Sequence, residues 1–169
     1  MTILVSPTGA GRRVHLVSEI TDFIQGEVMI ILGTCSRGKL PDIGRGVGCR
    51  VLAAGDTVEV LVSAWQWPGT VANLRDTGEV AVTFVRAADY RAYQIKGRAT
   101  LVDCTPEHHG LCDRYIAAAT AALADQGVPT AMTEMWLMPR DLVVAHIGIR
   151  SLSIKTPGAD AGTLVGERR

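Results

Sequence analysis

The sequence predicts a mainly β protein of the α+β class, a closed or nearly closed barrel of six to seven strands with two or three flanking helices. Short apolar or alternating segments recur between turns rich in glycine, while helical spacing is confined to a few segments. The 169 residues suit one domain with its own core. Barrel closure is favoured because it removes exposed sheet edges.

Three regions are expected along the chain. Residues 1–14 lack any periodicity and are interpreted as an N-terminal arm. Residues 15–155 contain every predicted strand and helix and form the barrel domain. Residues 156–169 are rich in glycine and alanine and are predicted to be an extended C-terminal tail.

The first half of the barrel domain is expected to begin with a helix. Residues 15–25 place apolar side chains at helical spacing. A compact apolar run at 28–33 and a glycine-rich return at 44–53 predict a β-hairpin. Residues 57–63 alternate apolar and polar side chains, which predicts a strand buried on one face. Pro68 precedes a short helix at 69–77.

The second half returns to strands around one substantial helix. Residues 79–86 alternate again, and residues 91–103 form a longer predicted strand. Thr105 and Pro106 suit the cap and first turn of a helix that continues to Gly127. The last strand is predicted at 141–154.

Composition excludes several classes of function. Seventeen basic residues balance 17 acidic ones, so no bulk field favours nucleic acid or an anionic membrane. The longest apolar run, Val28–Leu32, is too short for a membrane helix. The cysteines lack paired spacing and no secretory signal is present, so a cytoplasmic location with reduced thiols is expected. Sparse charge favours a homodimer that covers one face.

Two motifs are interpreted as structural rather than functional. The glycine-rich 44–48 segment is interpreted as a twisted or bulged strand and not as a dinucleotide loop, because a strand and not a helix follows it. A zinc site at His108 and His109 with Cys104 and Cys112 is rejected, because adjacent helical side chains point about 100° apart. No metal site is therefore predicted. The thiols are expected to be spectators, with Cys35, Cys49 and Cys104 on strands and Cys112 on a helix.

The segment from Leu61 to Thr77 is the best candidate for a binding site. Trp65 and Trp67 follow a strand that ends in Ser63, and a helix start lies beside them. Free N–H groups at that start could bind a phosphate, and indole faces could cover a planar ring. A core role explains the two tryptophans equally well. No nucleophile or carboxylate pair is recognisable, so a cofactor would carry any chemistry.

In chain order, the segments resemble the pyridoxamine 5′-phosphate oxidase-like family of split β-barrels over roughly residues 15–155. The resemblance follows the leading helix, the hairpin that begins at Val28, and several later segments. Those segments are Arg50-Val51-Leu52, Ser63, the helix Val71–Arg75, the strand Glu79–Phe84, and the strand Arg91–Leu101 with its Lys96-Gly97-Arg98.

The resemblance implies a homodimer in which two split β-barrels share two flavin mononucleotide (FMN) sites. It implies a flavin-dependent oxidoreductase acting on a small molecule. By position, the implied cofactor-binding residues are Arg50, Val51, Leu52, Ser63, Ala64, Trp65, Gly69, Thr70, Arg91, Gln94 and, reaching in from the partner, Trp136. Catalytic residues are not implied.

The chain departs from the oxidases at two positions. Gly69 and Thr70 stand where the oxidases carry an arginine and a lysine for the phosphate, and Ala92 stands where they carry a glutamine, with Gln94 nearby as a substitute. The phosphate is then expected at the start of the 69–77 helix, with charge from Arg50 or Arg91. Two alternatives remain: a non-enzymatic module that binds haem, another ligand or nothing, and a deazaflavin-dependent reductase.

Overall fold

The computed structural model describes residues 14–165, so the predicted arm lies outside the described residues except for Val14. Helices and strands follow one another within this range much as the sequence predicts. In chain order they are α1 (Ser18–Ile24), β1 (Met29–Cys35), β2 (Pro41–Val51), β3 (Thr57–Ser63), α2 (Pro68–Asp76), β4 (Glu79–Val85), β5 (Ala92–Val102), α3 (Pro106–Asp125), α4 (Thr130–Trp136) and β6 (Leu142–Ile154).

The six strands form a closed antiparallel barrel in the order β1-β2-β3-β6-β5-β4. The ring closes where β1 pairs with β4, for example Ile30 with Phe84 and Leu32 with Val82. These four side chains point inward and are fully or almost fully buried. Every strand therefore has two hydrogen-bonded neighbours, and the predicted mainly β barrel is confirmed. The fourth helix, α4, was not predicted.

Helix α2 lies across the end of the barrel where β1 turns into β2. Asn73 donates from Nδ2 to the Thr34 hydroxyl at 3.1 Å, and the Thr77 hydroxyl donates to the Cys35 carbonyl at 3.0 Å. Val71 and Leu74 of α2 are buried. These contacts fix the segment that follows Trp65 against the barrel.

The expectation that β3 is buried on one face is wrong, because all seven of its residues are buried. The inner face contributes valines to the core, and α3 covers part of the outer face. A side-chain carbon at Gly48 on β2 would lie 3.5 Å from Leu61 and 3.6 Å from Leu111 of α3. The polar residues of β3 are therefore buried beneath other elements rather than exposed to solvent.

Two further expectations need correction. Cys104 lies in the loop between β5 and α3, since β5 ends at Val102. The C-terminal tail is not extended where it is described: the amide of Ile154 donates to the Thr163 carbonyl, and the amide of Val165 donates to the Leu152 carbonyl. Positive φ values at glycines in the tail allow the chain to turn back on β6. Within residues 14–165, no helix is long and apolar enough to cross a membrane.

Candidate functional site

The structure distributes the predicted cofactor-binding residues over several parts of the barrel. Arg50 pairs with Glu59 near the start of β3, whereas Ser63 ends the same strand. Four residues of strand separate these points, or about 13 Å. Arg50 and Ser63 therefore belong to different surroundings, which are described in turn below.

Arg50 belongs to a polar cluster around a buried carboxylate. Its Nε lies 2.5 Å from Glu59 Oε2, and its Nη1 lies 2.8 Å from Glu107 of α3. His108 Nε2 lies 3.2 Å from Glu59 Oε2, and His146 Nδ1 lies 3.4 Å from Oε1. The Glu59 side chain is only 8% exposed. We call these five residues the Glu59 network.

The first turn of α3 fixes the orientation of one member of this network. The backbone N–H of Thr105 donates to Nδ1 of His108 at 3.1 Å. Nδ1 therefore accepts this bond, while Nε2 faces the Glu59 carboxylate and the Arg50 guanidinium. The helix cap and the buried carboxylate thus hold His108 from both sides.

The charge of Arg50 is neutralised by carboxylates within the Glu59 network. Burial alone would raise the pKa of Glu59, but hydrogen bonds from Arg50 and His108 outweigh it and hold that pKa below the usual value. The bond to Glu59 likewise raises the pKa of Arg50. With carboxylates of Glu59 and Glu107 on one guanidinium, Arg50 offers little uncompensated charge to a phosphate.

The next two predicted residues are also engaged in local structure through their backbones. The Val51 amide donates to Oε1 of Gln25 at 2.7 Å, and the Leu52 amide donates to the Thr57 carbonyl at 2.9 Å. The first bond joins the end of β2 to the residue that follows α1, and the second lies in the turn between β2 and β3. Any ligand along this part of β2 would have to contact side chains rather than amides.

Other predicted residues gather at the opposite end of β3. The Ser63 hydroxyl donates to the Arg140 carbonyl at 2.6 Å, and the Arg140 guanidinium lies 4.8 Å above the Trp65 ring. On the neighbouring strand β2, the Arg45 guanidinium lies 5.2 Å from the centre of the Trp136 ring. We call Arg45, Ser63, Ala64, Trp65, Trp136 and Arg140 the arginine–tryptophan surface.

A hydrogen bond ties the two halves of this surface together. Gln66, which follows Trp65, donates from Nε2 to the Met135 carbonyl of α4 at 2.6 Å. The other polar atom of that amide, Gln66 Oε1, and the indole N–H of Trp67 are buried without a hydrogen-bond partner in the described part of the chain. Most buried polar atoms in proteins have a partner, so hydrogen bonding within the described chain is incomplete in this loop.

The sequence left two roles open for the tryptophans, covering a ligand or packing in the core, and the structure gives the two residues different surroundings. Trp65 is 50% exposed, whereas Trp67 packs against the hydrophobic core. Arg45 and Arg140 were not predicted as site residues. Side chains alternate between the two faces of a strand, so Arg45 projects from the face of β2 opposite to that of Gly44 and Gly46. This alternation could have identified Arg45, but nothing in the sequence distinguished Arg140.

The start of α2, where a phosphate was expected, contains a carboxylate instead. The buried Thr70 hydroxyl donates to Asp42 Oδ2 at 2.5 Å. A side-chain carbon at Gly69 would lie 3.2 Å from the same carboxyl group. Asp42 thus occupies the position from which a dianion would approach, and like charges repel. The geometry does not favour a phosphate at this helix start.

The remaining predicted residues lie on β5 or just before it, across the barrel from β2. Arg91 contacts Glu19 of α1 at 2.6 Å and the Tyr93 hydroxyl at 2.8 Å. Gln94 donates from Nε2 to the Thr83 hydroxyl at 2.9 Å. Because β2 and β5 are separated by two strands in either direction, these residues could join the arginine–tryptophan surface only from a second copy of the chain.

The cysteines show no geometry for metal binding, and among residues 14–165 no three histidine, cysteine, aspartate or glutamate side chains are arranged so that they could hold a metal ion. Cys49 and Cys112 are buried, and burial raises the pKa of both thiols, that of Cys112 to about 12. Burial also raises the pKa of the partly buried Cys104. Because the thiolate is the reactive form, we expect a disulfide reagent at pH 8 to label Cys35, to label Cys104 more slowly, and to spare Cys49 and Cys112. Mass spectrometry of the labelled peptides tests this, and rapid native labelling of Cys49 would contradict it.

Several solved structures are similar to this chain. The HupZ protein of Group A Streptococcus is 19% identical, with a TM-score of 0.53, and the alignment covers 87% of this chain and 99% of that one. An F420 reductase is 13% identical at a TM-score of 0.53, covering 78% and 94%. A candidate pyridoxamine 5′-phosphate oxidase from Lactobacillus delbrueckii is 12% identical at 0.51, covering 82% and 93%. At these identities the similarity establishes the fold alone.

A search of curated proteins found no match to this chain. The comparison with protein families, in contrast, matches residues 16–147 to the family described as pyridoxamine 5′-phosphate oxidase. The matched segment runs from the residues before α1 into β6 and includes the four helices and five complete strands of the described residues. Since it spans well over half of the chain, this protein belongs to the pyridoxamine 5′-phosphate oxidase family.

Proposed function

We propose that this protein binds FMN on the arginine–tryptophan surface and is a flavin-dependent oxidoreductase for an unidentified small molecule. The observation that carries the proposal is the pair of guanidinium groups stacked on indole rings, Arg140 on Trp65 and Arg45 on Trp136. Planar rings and adjacent cations suit a ligand with an aromatic ring system and a phosphate.

Charge balance supports this position over the others. Arg45 has no ion-pair partner among the described residues, and Arg140 has only an exposed contact of 4.0 Å with Asp141. An exposed pair of that kind contributes little. Arg50 and Arg91, which were expected to supply the charge, are both held by glutamates. The guanidinium groups of Arg45 and Arg140 are therefore more available to a phosphate than those of Arg50 and Arg91.

The chain's own residues would bind and orient the cofactor, and a bound flavin would supply the redox chemistry. Ser63 fixes the Arg140 backbone through its hydroxyl, so it acts on the ligand by positioning the arginine. Trp65 and Trp136 would hold the two guanidinium groups in place by cation–π contact at the border of the ring system. This division of roles agrees with the absence of a recognisable nucleophile in the sequence.

We also propose a cytoplasmic homodimer with a site completed by the second subunit. The support is the location of Arg91 and Gln94 across the barrel from Arg45, together with exposed apolar side chains of Leu40 and Ile43 at the β1–β2 hairpin. Exposed apolar residues rimmed by polar ones are typical of an interface. Sedimentation velocity at micromolar concentration should show a dimer, and a monomer would contradict this part of the proposal.

The surface fits a flavin better than haem. Haem iron is usually held by histidine, cysteine or tyrosine, or by methionine together with histidine. None of the six residues of the arginine–tryptophan surface is of these types. A deazaflavin has the same combination of a planar ring and phosphate, and an F420 reductase is among the similar structures. The two cofactors are therefore compared directly in the experiment.

Titration of the purified apo-protein tests the proposal. FMN should bind at least about tenfold more tightly than riboflavin, because a charge-assisted contact to the phosphate is worth roughly 1.5 to 3 kcal/mol. Arg140→Gln and Arg45→Gln should each remove most of that preference, whereas Arg150→Gln on the outer face of β6 should not change it. Tryptophan fluorescence and the visible flavin spectrum report binding.

Three outcomes would overturn this assignment. Equal affinity for FMN and riboflavin would show that Arg45 and Arg140 do not contact the FMN phosphate. Tighter binding of coenzyme F420 would assign the deazaflavin alternative. Binding of haemin with no binding of either flavin would exclude a flavoprotein.

A further inference from the structure

A separate cavity lies between the end of α1, strand β2 and helix α3. Its volume is about 310 Å³, at the lower end of the range for small-molecule sites. By the liquid volume of water it has room for on the order of ten non-hydrogen atoms. It shares no residue with the arginine–tryptophan surface, so any ligand it holds is independent of the proposed flavin.

The inner wall of this cavity is apolar. Ile24 of α1, Cys49 of β2 and Tyr115 of α3 line it and are buried. The Tyr115 hydroxyl is satisfied by the Val28 carbonyl at 2.9 Å, so the ring presents its apolar part. Burial raises the pKa of the Cys49 thiol, which keeps that side chain neutral. The wall therefore favours a hydrocarbon group.

The cavity exists because α3 presents a small side chain at one point of this wall. Ala118 follows Leu111 and Tyr115 on the same face of α3 and also lines the cavity. These positions are four and three residues apart, which is the spacing of one helix face. A larger side chain at position 118 would project into the space.

Opposite charges occur among the same lining residues. Arg114 of α3 and Glu27, in the turn between α1 and β1, both line the cavity and are exposed. Neither forms an ion pair with another residue in the 14–165 range, and they do not pair with each other. One free cation and one free anion beside an apolar wall complement a small zwitterion with a hydrocarbon side chain.

We propose that this cavity binds a free α-amino acid with an apolar side chain. The carboxylate contacts Arg114, the ammonium contacts Glu27, and the side chain enters the space beside Ala118. Leucine, with nine non-hydrogen atoms, is within the size limit of about ten. The proposal does not depend on the flavin, because it concerns different residues of the same barrel.

Calorimetric titration of the purified full chain with L-leucine is the direct test. We expect saturable binding of L-leucine, and at least about tenfold weaker binding of leucinamide, which lacks the carboxylate, and of 4-methylpentanoate, which lacks the ammonium. Glycine, which lacks the side chain, should not bind measurably. Failure of L-leucine to bind, or equal binding of 4-methylpentanoate, would overturn the proposal.

Matched variants locate the binding. Ala118→Phe should abolish L-leucine binding by filling the cavity, while Ala117→Phe, at the neighbouring exposed position of α3, should retain it. Arg114→Gln and Glu27→Gln should each weaken binding at least about tenfold, with Glu134→Gln on α4 as the control. The thermal melting shift caused by L-leucine is measured in parallel, so a misfolded variant is recognised. Unchanged binding in Ala118→Phe or in Arg114→Gln would refute the site.

Discussion

Replacement of Gly97 with alanine is expected to destabilise the barrel by about 3 kcal/mol or more. A side-chain carbon at this position would lie 2.2 Å from the Gly148 carbonyl oxygen and 2.9 Å from Cγ2 of Ile147. The position adjoins the irregular pairing between β5 and β6, where the register shifts from Lys96 to Gly97. Since the obstructing atom belongs to the backbone of the neighbouring strand, a change of rotamer cannot relieve the contact.

Gly148 provides the matched control, because an added carbon there meets nothing within 4 Å. Gly148→Ala should lie within about 0.5 kcal/mol of the wild type, as expected for a substitution without contacts. Urea unfolding followed by circular dichroism measures both variants. If the two variants unfold at the same urea concentration as the wild type, the close approach of β5 and β6 at Gly97 is wrong.

Substitution of Glu59 should have the second largest effect, a loss of about 2 kcal/mol for Glu59→Gln at pH 7. Breaking a buried ion pair typically costs 3 to 5 kcal/mol. Arg50 is 29% exposed and retains Glu107 as a partner, so we expect a smaller loss. The new amide would also place a donor against those of Arg50 and His108.

Glu79→Gln is the control for this variant. Glu79 also lies on a strand and also faces two arginines, Arg98 and Arg150, but its side chain is 48% exposed. Exposed pairs of this kind contribute about 0 to 1 kcal/mol. A Glu79→Gln variant that loses as much stability as Glu59→Gln would show that burial of the Glu59 network is not the cause.

The pH dependence of stability gives a second measure of Glu59. Its pKa is lower in the folded protein than the ordinary value of 4.5. The stabilisation is therefore complete above the unfolded pKa and is lost as the pH falls through the folded pKa. Between pH 7 and pH 3 the wild type should lose more stability than Glu59→Gln, as measured by urea midpoints. Parallel pH profiles for the two proteins would exclude this contribution.

Most of the fold could be predicted because the barrel strands have a strong local pattern. Strands β4 and β5 alternate inward and outward side chains, and their bounds are close to the predicted ones. Strand β3 misled the prediction, because Glu59 alternates with valines as a solvent-facing residue would. Its burial depends on His108, 49 residues later in the chain, and no local pattern contains that information.

The candidate site was predictable only in part for the same reason. Trp65 was identified from the aromatic pair that follows β3, and Trp136 was identified from the resemblance, which expected it from the partner subunit. The structure places each beneath an arginine of its own chain. A phosphate was expected at Thr70, but the Thr70 hydroxyl donates to the carboxylate of Asp42, which lies 28 residues earlier in the chain. Arg140 approaches Ser63 from 77 residues away. The residues of such pairs are far apart in the sequence and come together only in the folded barrel, so no local sequence pattern predicts their contact.

Closure of the barrel by its last strand also determines how the chain can acquire its structure. Strand β6 pairs with β3 on one side and with β5 on the other. Until residues 142–154 have left the ribosome, both neighbours present unsatisfied hydrogen-bonding edges, which are prone to association with other chains. The pairing of β3 with β6 also joins distant parts of the sequence, so folding is expected to be slow compared with that of helical proteins of similar length.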